Sequence, residues 1–324
     1  MVSGFLLTFA TRKEQTSMDL RYGVIGTGAV GGYYGGRLAN GGKDVHFLLH
    51  RDYDFVRSNG LTVHSCNGDF ALPHINAYHS VQDMPPCDVI IVAMKTVYED
   101  IVPDLVRPLL KENSIVLLIQ NGIGVEEDVQ RSLPGVQLAA GLAFICSAKT
   151  KPGVVNHQCY GSINIANYSC RDEMQLEQLV SDFRSCGVAA QQLEYQEARW
   201  KKAVWNMPFN GMTVVLNTQT DKLLRDPYTR ALIRCQMMEI VNATHVLGVK
   251  NVDEAFVEKM LVTTDNMVPY SPSMKLDCDF HRPMELKYIY SRPLDIAQKA
   301  GCPMPTLRML ERELIFIQRS YSQQ

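Results

Sequence analysis

Nothing in these 324 residues is apolar for long enough to span a bilayer, since the longest apolar stretches are strand-sized. An excess of one charge is also missing. Lysine and arginine number 32 against 34 aspartate and glutamate, a formal net charge of -2, which leaves no electrostatic footprint for nucleic acid or an anionic membrane surface. The nine cysteines include no C-x-x-C pair, and their odd number argues against a disulfide framework or a zinc site. Reduced thiols in a cytoplasmic protein are expected. No H-E-x-x-H spacing occurs, and no metal is expected. Internal repeats, low-complexity tracts and a Pro/Gly/Ser linker are absent as well, so any two domains should pack directly on each other.

What is present is length enough for two domains, each with its own core. Residues 1–17 stand apart. Their apolar stretch Gly4–Ala10 is short, Arg12 and Lys13 follow it instead of preceding it, and no cleavage site is evident. A frayed leader is expected there, with Met18 as an alternative start.

The remainder is organised around Arg21–Gly31, in which a short apolar run ends in Gly26, Gly28 and Gly31, with Thr27, Ala29 and Val30 between them. The residues on to Asn40 have helical spacing, and Asp44–Leu49 is a second strand at the distance a βαβ unit requires. A tight strand-to-helix turn needs a residue without Cβ, here Gly26. Gly28 allows close approach of a pyrophosphate, and Gly31 lets helix and strand pack closely. The unpaired N–H groups at the helix start favour the phosphates. The next strand end bears on which dinucleotide binds. NAD sites place Asp or Glu there for the ribose 2′-hydroxyl. This chain has His50 and Arg51, and the planar donor fork of arginine matches a phosphate. NADP(H) is therefore the favoured cofactor. Asp52 keeps an alternative open, because one shifted residue puts a carboxylate at the same edge.

Further strands are predicted at Leu61–His64, Asp88–Met94, Ser114–Ile119, Gln137–Ile145, around Val154–Val155, at Ser162–Ile165 and at Ala189–Leu193. The near-continuous apolar runs suit a parallel sheet buried on both faces. Helices are predicted at 97–110, in spite of Pro103 and Pro108, at 125–132 and at 175–186. From Gln196 onward the spacing is helical without a strong strand. The expected architecture is an α/β Rossmann-type domain at 18–195 followed by an all-helical domain at 196–324. Ligands of such sheets bind beyond the carboxyl ends of the strands, where the Gly-rich turn, Lys95 and Asn121 fall.

In the second half, Lys202, Asn206 and Asn210 recur at i, i+4 and i+8 and share one helix face. An ammonium and two carboxamides on an otherwise apolar helix suit a cleft for a small polar anion; the alternative is a solvated stripe with Lys201 and Lys202 in water. Pro208 implies a kink or early end. Farther on, Pro283 fits the first turn of a helix. That would place Glu285 near a helix N-terminus and favour its ionised form.

Taken in order, Gly26–Gly31, Lys95, Gln120-Asn121-Gly122, Lys202 with Asn206 and Asn210, and Ser273-Met274 followed by Glu285 resemble the ketopantoate reductase (2-dehydropantoate 2-reductase) family, from about Leu20 to Glu313. The resemblance implies a Rossmann domain and a helical domain. It also implies NADPH, and reduction of the 2-oxo acid 2-dehydropantoate to pantoate on the route to pantothenate. Position by position it makes Lys202 the catalytic lysine and Glu285 its partner. Asn206, Asn210 and Ser273 become substrate-binding residues, while Asn121 and Lys95 line the cofactor side, Asn121 facing the substrate too. Three departures stand out. The family's 2′-phosphate arginine aligns with His50, leaving Arg51 one residue late. Gly211 stands where proline often follows the second asparagine. The segment Thr264–Tyr270, expected to wall the substrate pocket, is long.

The chemistry that follows is hydride delivery to a ketone, with protonated Lys202 stabilising and protonating the oxygen. Glu285 is expected to hold the ammonium or a substrate hydroxyl and to keep Lys202 protonated. Rivals are a reductase of another 2-oxo acid on the same scaffold and a non-catalytic NADP(H) sensor; the sensor has no use for Lys202 and Glu285 together. The Met- and Leu-rich helical half offers a surface for a homodimer.

Overall fold

The structure, a computed structural model, describes residues 18–322, so the expected leader at 1–17 lies outside the described residues. Strand β1 (Arg21–Ile25) leads through the Gly-rich turn into α1 (Ala29–Asn40) and β2 (Asp44–Leu48). Then come α2 (Tyr53–Asn59), β3 (Leu61–Ser65), β4 (Phe70–Leu72), β5 (Asn76–Tyr78), β6 (Cys87–Val92), α3 (Val102–Val106), β7 (Leu110–Leu118) and α4 (Val125–Ser132). The sheet-forming part ends with β8 (Gln137–Lys151), β9 (Val154–Asn167), α5 (Glu173–Ser185) and β10 (Ala190–Leu193).

These strands form one ten-stranded sheet in the order β4-β3-β9-β8-β7-β6-β1-β2-β5, with β10 paired to β9. The run β8-β7-β6-β1-β2-β5 is parallel. Only the β3–β4 and β8–β9 pairs are antiparallel among the described residues. Alternation of side chains explains why the central strands are apolar throughout. Val24, Val89, Ile91 and Leu117 face a core shared with Tyr34 and Leu38 of α1 and Leu179 and Phe183 of α5. Their neighbours Ile25, Ile90, Val92 and Leu118 face a second core with Val102 and Val106 of α3 and Val129 of α4.

Several expectations change. The predicted helix at 97–110 is broken into a 3-10 turn (Thr96–Ile101), the five-residue α3 and a second 3-10 turn (Arg107–Leu109). Pro103 and Pro108 each fall in the first turn of a new segment, where a missing N–H costs nothing. The two strands expected around Val154 and Ser162 are one strand, β9, whose first half pairs with β3 and second half with β10. A local irregularity, with positive φ at Tyr160 and Gly161, had the look of a break. β8 continues past Ile145 to Lys151, and β4 and β5 are too short for alternation to reveal them.

A single residue, Glu194, separates β10 from α6 (Tyr195–Val215), and its carboxylate caps that helix by accepting from the N–H groups of Gln196 and Glu197. There follow α7 (Thr220–Arg225), α8 (Pro227–Val246), α9 (Glu254–Asp265), α10 (Ser273–Asp279), a π-helical turn (Lys287–Ser291), α11 (Arg292–Lys299) and α12 (Pro305–Ser322). α6 is the central element, with α8, α10 and α12 against it. It does not stop at Pro208. Trp205, Met207, Phe209 and Met212 are all buried in the helical core, and packing on both sides of the proline holds the helix together. Pro283 does not open a helix either. The helical backbone begins at Leu286, and Glu285 lies just before it.

The Gly-rich turn yields a direct test. A Cβ on Gly31 would lie 2.4 Å from the Gly26 carbonyl oxygen and 3.1 Å from the Ala93 Cβ. Gly31→Ala should therefore lower the free energy of urea unfolding by about 2 kcal/mol. An unchanged midpoint would mean that α1 can slide on the sheet at no cost.

Candidate active site

The carboxyl ends of the parallel strands β1, β6 and β7 lie on one edge, and α6 packs on β8 and β9 and bonds to the turn that follows β7. Along α6, Asn206 and Asn210 are buried at 6% and 2% exposure, and Lys202 is part-buried. Asn206 donates from Nδ2 to Asn121 Oδ1 at 3.4 Å, which links the helical half to the end of β7. The Asn210 Oδ1 is buried without a hydrogen-bond partner among the described residues. Such an orphaned acceptor is costly unless something supplies a donor. A small pocket lies one turn back along α6, lined by Gly122, Ile123, Arg199, Lys202, Asn206 and Tyr288, among others, and Asn210 does not line it.

Lys202 does not sit in water. Its Nζ donates to the Ala143 carbonyl oxygen at 2.6 Å and lies 5.5 Å from the centre of the Phe144 ring. Burial pulls its pKa from 10.5 down to about 8, with the Arg199 charge acting in the same direction and Cys146 opposing it. The expectation that Glu285 keeps this lysine protonated is not met. Glu285 Oε1 instead accepts from the N–H and hydroxyl of Thr96, at 2.9 and 3.0 Å, and no bond or ion pair joins it to Lys202 among the described residues. Nor does the nearby helix start favour its ionised form. Burial raises the Glu285 pKa, and the Thr96 bonds and the Lys95 charge offset this only in part.

Lys95 follows β6 and forms an ion pair with Asp277 of α10, a residue only 1% exposed. Ser273, the first residue of α10, is exposed, and its side chain makes no hydrogen bond among the described residues. The structure thus brings Lys202, Asn206 and Asn121 together, sets Asn210 farther along the same helix face, and groups Lys95 and Glu285 through Thr96 and Asp277. Ser273 stands exposed, in contact with neither group among the described residues.

At the other end of the edge, Gly26 has a φ of +90°, and a Cβ there would strike Met94. By contrast a Cβ on Gly28 would meet only the Gly26 carbonyl oxygen, at 4.0 Å, so this backbone faces open space. Gly28, Ala29 and Val30 are half-buried at the start of α1, and the Thr27 hydroxyl donates to the Leu48 carbonyl oxygen at 2.8 Å. His50 and Arg51 are both exposed; His50 lies near His79, with ring centroids 6.2 Å apart, and Arg51 has no ion-pair partner among the described residues. Asp52 is engaged elsewhere, in an ion pair with Lys149. These residues fit a dinucleotide: an open, Cβ-free approach at a helix start, an exposed guanidinium at Arg51, and an Asp52 carboxylate already paired with Lys149.

Sequence reasoning missed Thr96, Lys149 and the pair Arg199–Glu126. Arg199 is 1% exposed, ion-paired with Glu126, and donates to the Gln120 carbonyl oxygen at 2.6 Å. Tyr195 holds the other oxygen of Glu126 at 2.8 Å. Arg199 stands three residues before Lys202, and that i, i+3 spacing was the available signal.

Burial of Lys202 has a measurable consequence. The folded protein favours the neutral amine, so carrying the ammonium costs stability below about pH 8, and the cost disappears above the unfolded lysine value of 10.5. Lys202→Met should raise the unfolding free energy at pH 7 by about 3 kcal/mol, with the gain vanishing above pH 10.5. A pH-independent gain would trace the effect to packing alone.

Two family descriptions match this chain, Ketopantoate reductase PanE/ApbA over residues 22–169 and Ketopantoate reductase PanE/ApbA C terminal over residues 194–318. The 2-dehydropantoate 2-reductase of Nostoc sp. is 43% identical over 307 residues, covering 92% of this chain and 95% of its own length. The crystal structure of 2-dehydropantoate 2-reductase from Geobacter metallireducens superposes with a TM-score of 0.88 at 38% identity, covering 91% of this chain and 99% of that one. A D-mandelate dehydrogenase solved with NADH and anilino(oxo)acetate has a similar fold at a TM-score of 0.84 and 19% identity, covering 93% and 99% of the two chains.

Proposed function

The chain belongs to the ketopantoate reductase family of pyridine-nucleotide-dependent oxidoreductases, and from that premise we propose that it reduces 2-dehydropantoate to pantoate with NADPH, Lys202 acting as general acid. In this reading residues 18–195 hold the cofactor and the helical remainder holds the substrate. Pantoate would then feed pantothenate synthesis in the cytoplasm.

Gly26–Gly31 with the start of α1 would hold the pyrophosphate, Arg51 with His50 the 2′-phosphate, and Asn121 and Lys95 the nicotinamide side. When bound, the cofactor supplies the hydride. The remaining work belongs to side chains. Asn206 and Asn210 offer neutral donors for the substrate carboxylate or hydroxyl, and the buried Oδ1 of Asn210 is free to accept from that hydroxyl. Ser273 closes the rim. Lys202 exchanges the Ala143 carbonyl for the substrate's carbonyl oxygen, stabilises the charge that develops there and delivers a proton. Glu285, fixed by Thr96, receives a substrate hydroxyl and does not contact the ammonium directly.

The observation that carries the reading is the amine of Lys202, drawn by burial to a pKa of about 8 and lining one pocket with Asn206, whose amide bonds Asn121 beyond β7. An acid in this range is charged at neutral pH and gives up its proton readily.

Steady-state rates with NADPH and NADH on 2-dehydropantoate and a panel of other 2-oxo acids test the assignment. The highest kcat/KM is expected for 2-dehydropantoate with NADPH; a higher value for another 2-oxo acid would reassign the substrate. Lys202→Ala should lose about a hundredfold to ten-thousandfold in kcat while its Kd for NADPH stays within about twofold. Because the protonated amine is the active form, kcat in the reducing direction should be full below about pH 8 and fall above it. A fully active Lys202→Ala variant, or a flat profile to pH 10, would remove Lys202 from the chemistry.

A further inference from the structure

One carboxylate at the cofactor edge plays no part in the reading above. Asp52 follows Arg51 directly, and a free carboxylate there would repel a 2′-phosphate; it is also the group an NAD site uses to bind the ribose 2′-hydroxyl. In this fold it is not free. Lys149, near the far end of β8, forms an ion pair with it, and the Gly153 N–H donates to its Oδ2 at 3.2 Å.

The same ammonium reaches the Gly-rich turn. Lys149 Nζ donates to the Thr27 carbonyl oxygen at 2.8 Å, and the Thr27 hydroxyl donates to the carbonyl oxygen of Leu48, the last residue of β2, also at 2.8 Å. The contacts Leu48–Thr27–Lys149–Asp52 therefore run around the strand end from which His50 and Arg51 project. The Asp52 side chain is 11% exposed and that of Lys149 25%, whereas Arg51 is exposed. The acid is turned inward and neutralised, and the arginine is left outward.

We propose that Lys149 is a specificity-determining residue for the cofactor: by holding and neutralising Asp52 against the Gly-rich turn, it converts an edge that carries an NAD-type carboxylate into one that accepts a 2′-phosphate. This inference rests on the NADPH reading given above. It assigns a role to the extension of β8 beyond Ile145, which brings Lys149 across the sheet edge. It also accounts for a sequence that has arginine and aspartate side by side where one or the other would suffice.

The test measures dissociation constants for NADPH and NADH from dinucleotide fluorescence, without substrate, on the full chain. Wild type should bind NADPH at least tenfold more tightly than NADH. Lys149→Met and Lys149→Gln should each reduce that preference tenfold or more, chiefly by weakening NADPH. Lys149→Arg should retain it, and adding Asp52→Asn to Lys149→Met should restore most of it. Equal weakening of both dinucleotides by Lys149→Met and Lys149→Gln, with no rescue by Asp52→Asn, would overturn the proposal and make Lys149 a ligand for the shared pyrophosphate. The wild-type arm reads the cofactor assignment separately, since a preference for NADH there would overturn that assignment and this proposal with it.

Discussion

A buried turn held from both sides governs how this protein is built. At the end of β7, the Ile119 N–H bonds to Val92 of the sheet, while the Gln120 carbonyl is taken by Arg199 of α6. Asn121 meets Asn206, and the Ile123 N–H bonds to the Tyr288 carbonyl in the π-helical turn. Gly122 lies so close to Tyr288 that a Cβ would stand 2.4 Å from its carbonyl oxygen. Buried polar groups must find partners, and here Ile119 finds one in the sheet while Gln120, Asn121 and Ile123 find theirs in the helical half. The two halves are thereby locked in register at the place where a substrate would lie. The Arg199–Glu126 pair reinforces the lock from behind. An ion pair this deeply buried gains little net stability, but losing one partner would strand the other charge, so it acts as a positional constraint.

That constraint gives Lys202 its chemical character. Burial of its ammonium, with the Arg199 guanidinium three residues away acting in the same direction, leaves Lys202 holding its proton weakly. The folded chain tolerates this destabilised group because the surrounding helix is packed on several sides. Glu285 is a separate case. Its carboxyl answers to Thr96 and not to Lys202, so the acid and the lysine are held by different elements and do not form a dyad.

The features most legible in the sequence depend on short-range geometry. The βαβ unit showed in the spacing of Gly26, Gly28 and Gly31, the central strands in their apolar runs, and the α6 face in the i, i+4, i+8 recurrence of Lys202, Asn206 and Asn210. What escaped notice depends on contacts distant in sequence. The apparent gap in β9 at Tyr160–Gly161 closes because β3 and β10 pair with its two halves. The helix through Pro208 survives on packing that local propensity cannot register. The partners of Lys202, Glu285 and Asp52 turn out to be Ala143, Thr96 and Lys149, none of which carries a motif. Ser273, matched by resemblance to a substrate position, stands exposed at the start of α10.

The account stands or falls on where the Lys202 amine goes when substrate is present. The most direct measurement is a crystal structure of the protein with NADP and pantoate bound together. It should show Lys202 Nζ released from the Ala143 carbonyl and within hydrogen-bond distance of the pantoate hydroxyl that was the ketone oxygen. An amine still on Ala143, with that hydroxyl bound by another side chain, would contradict the account.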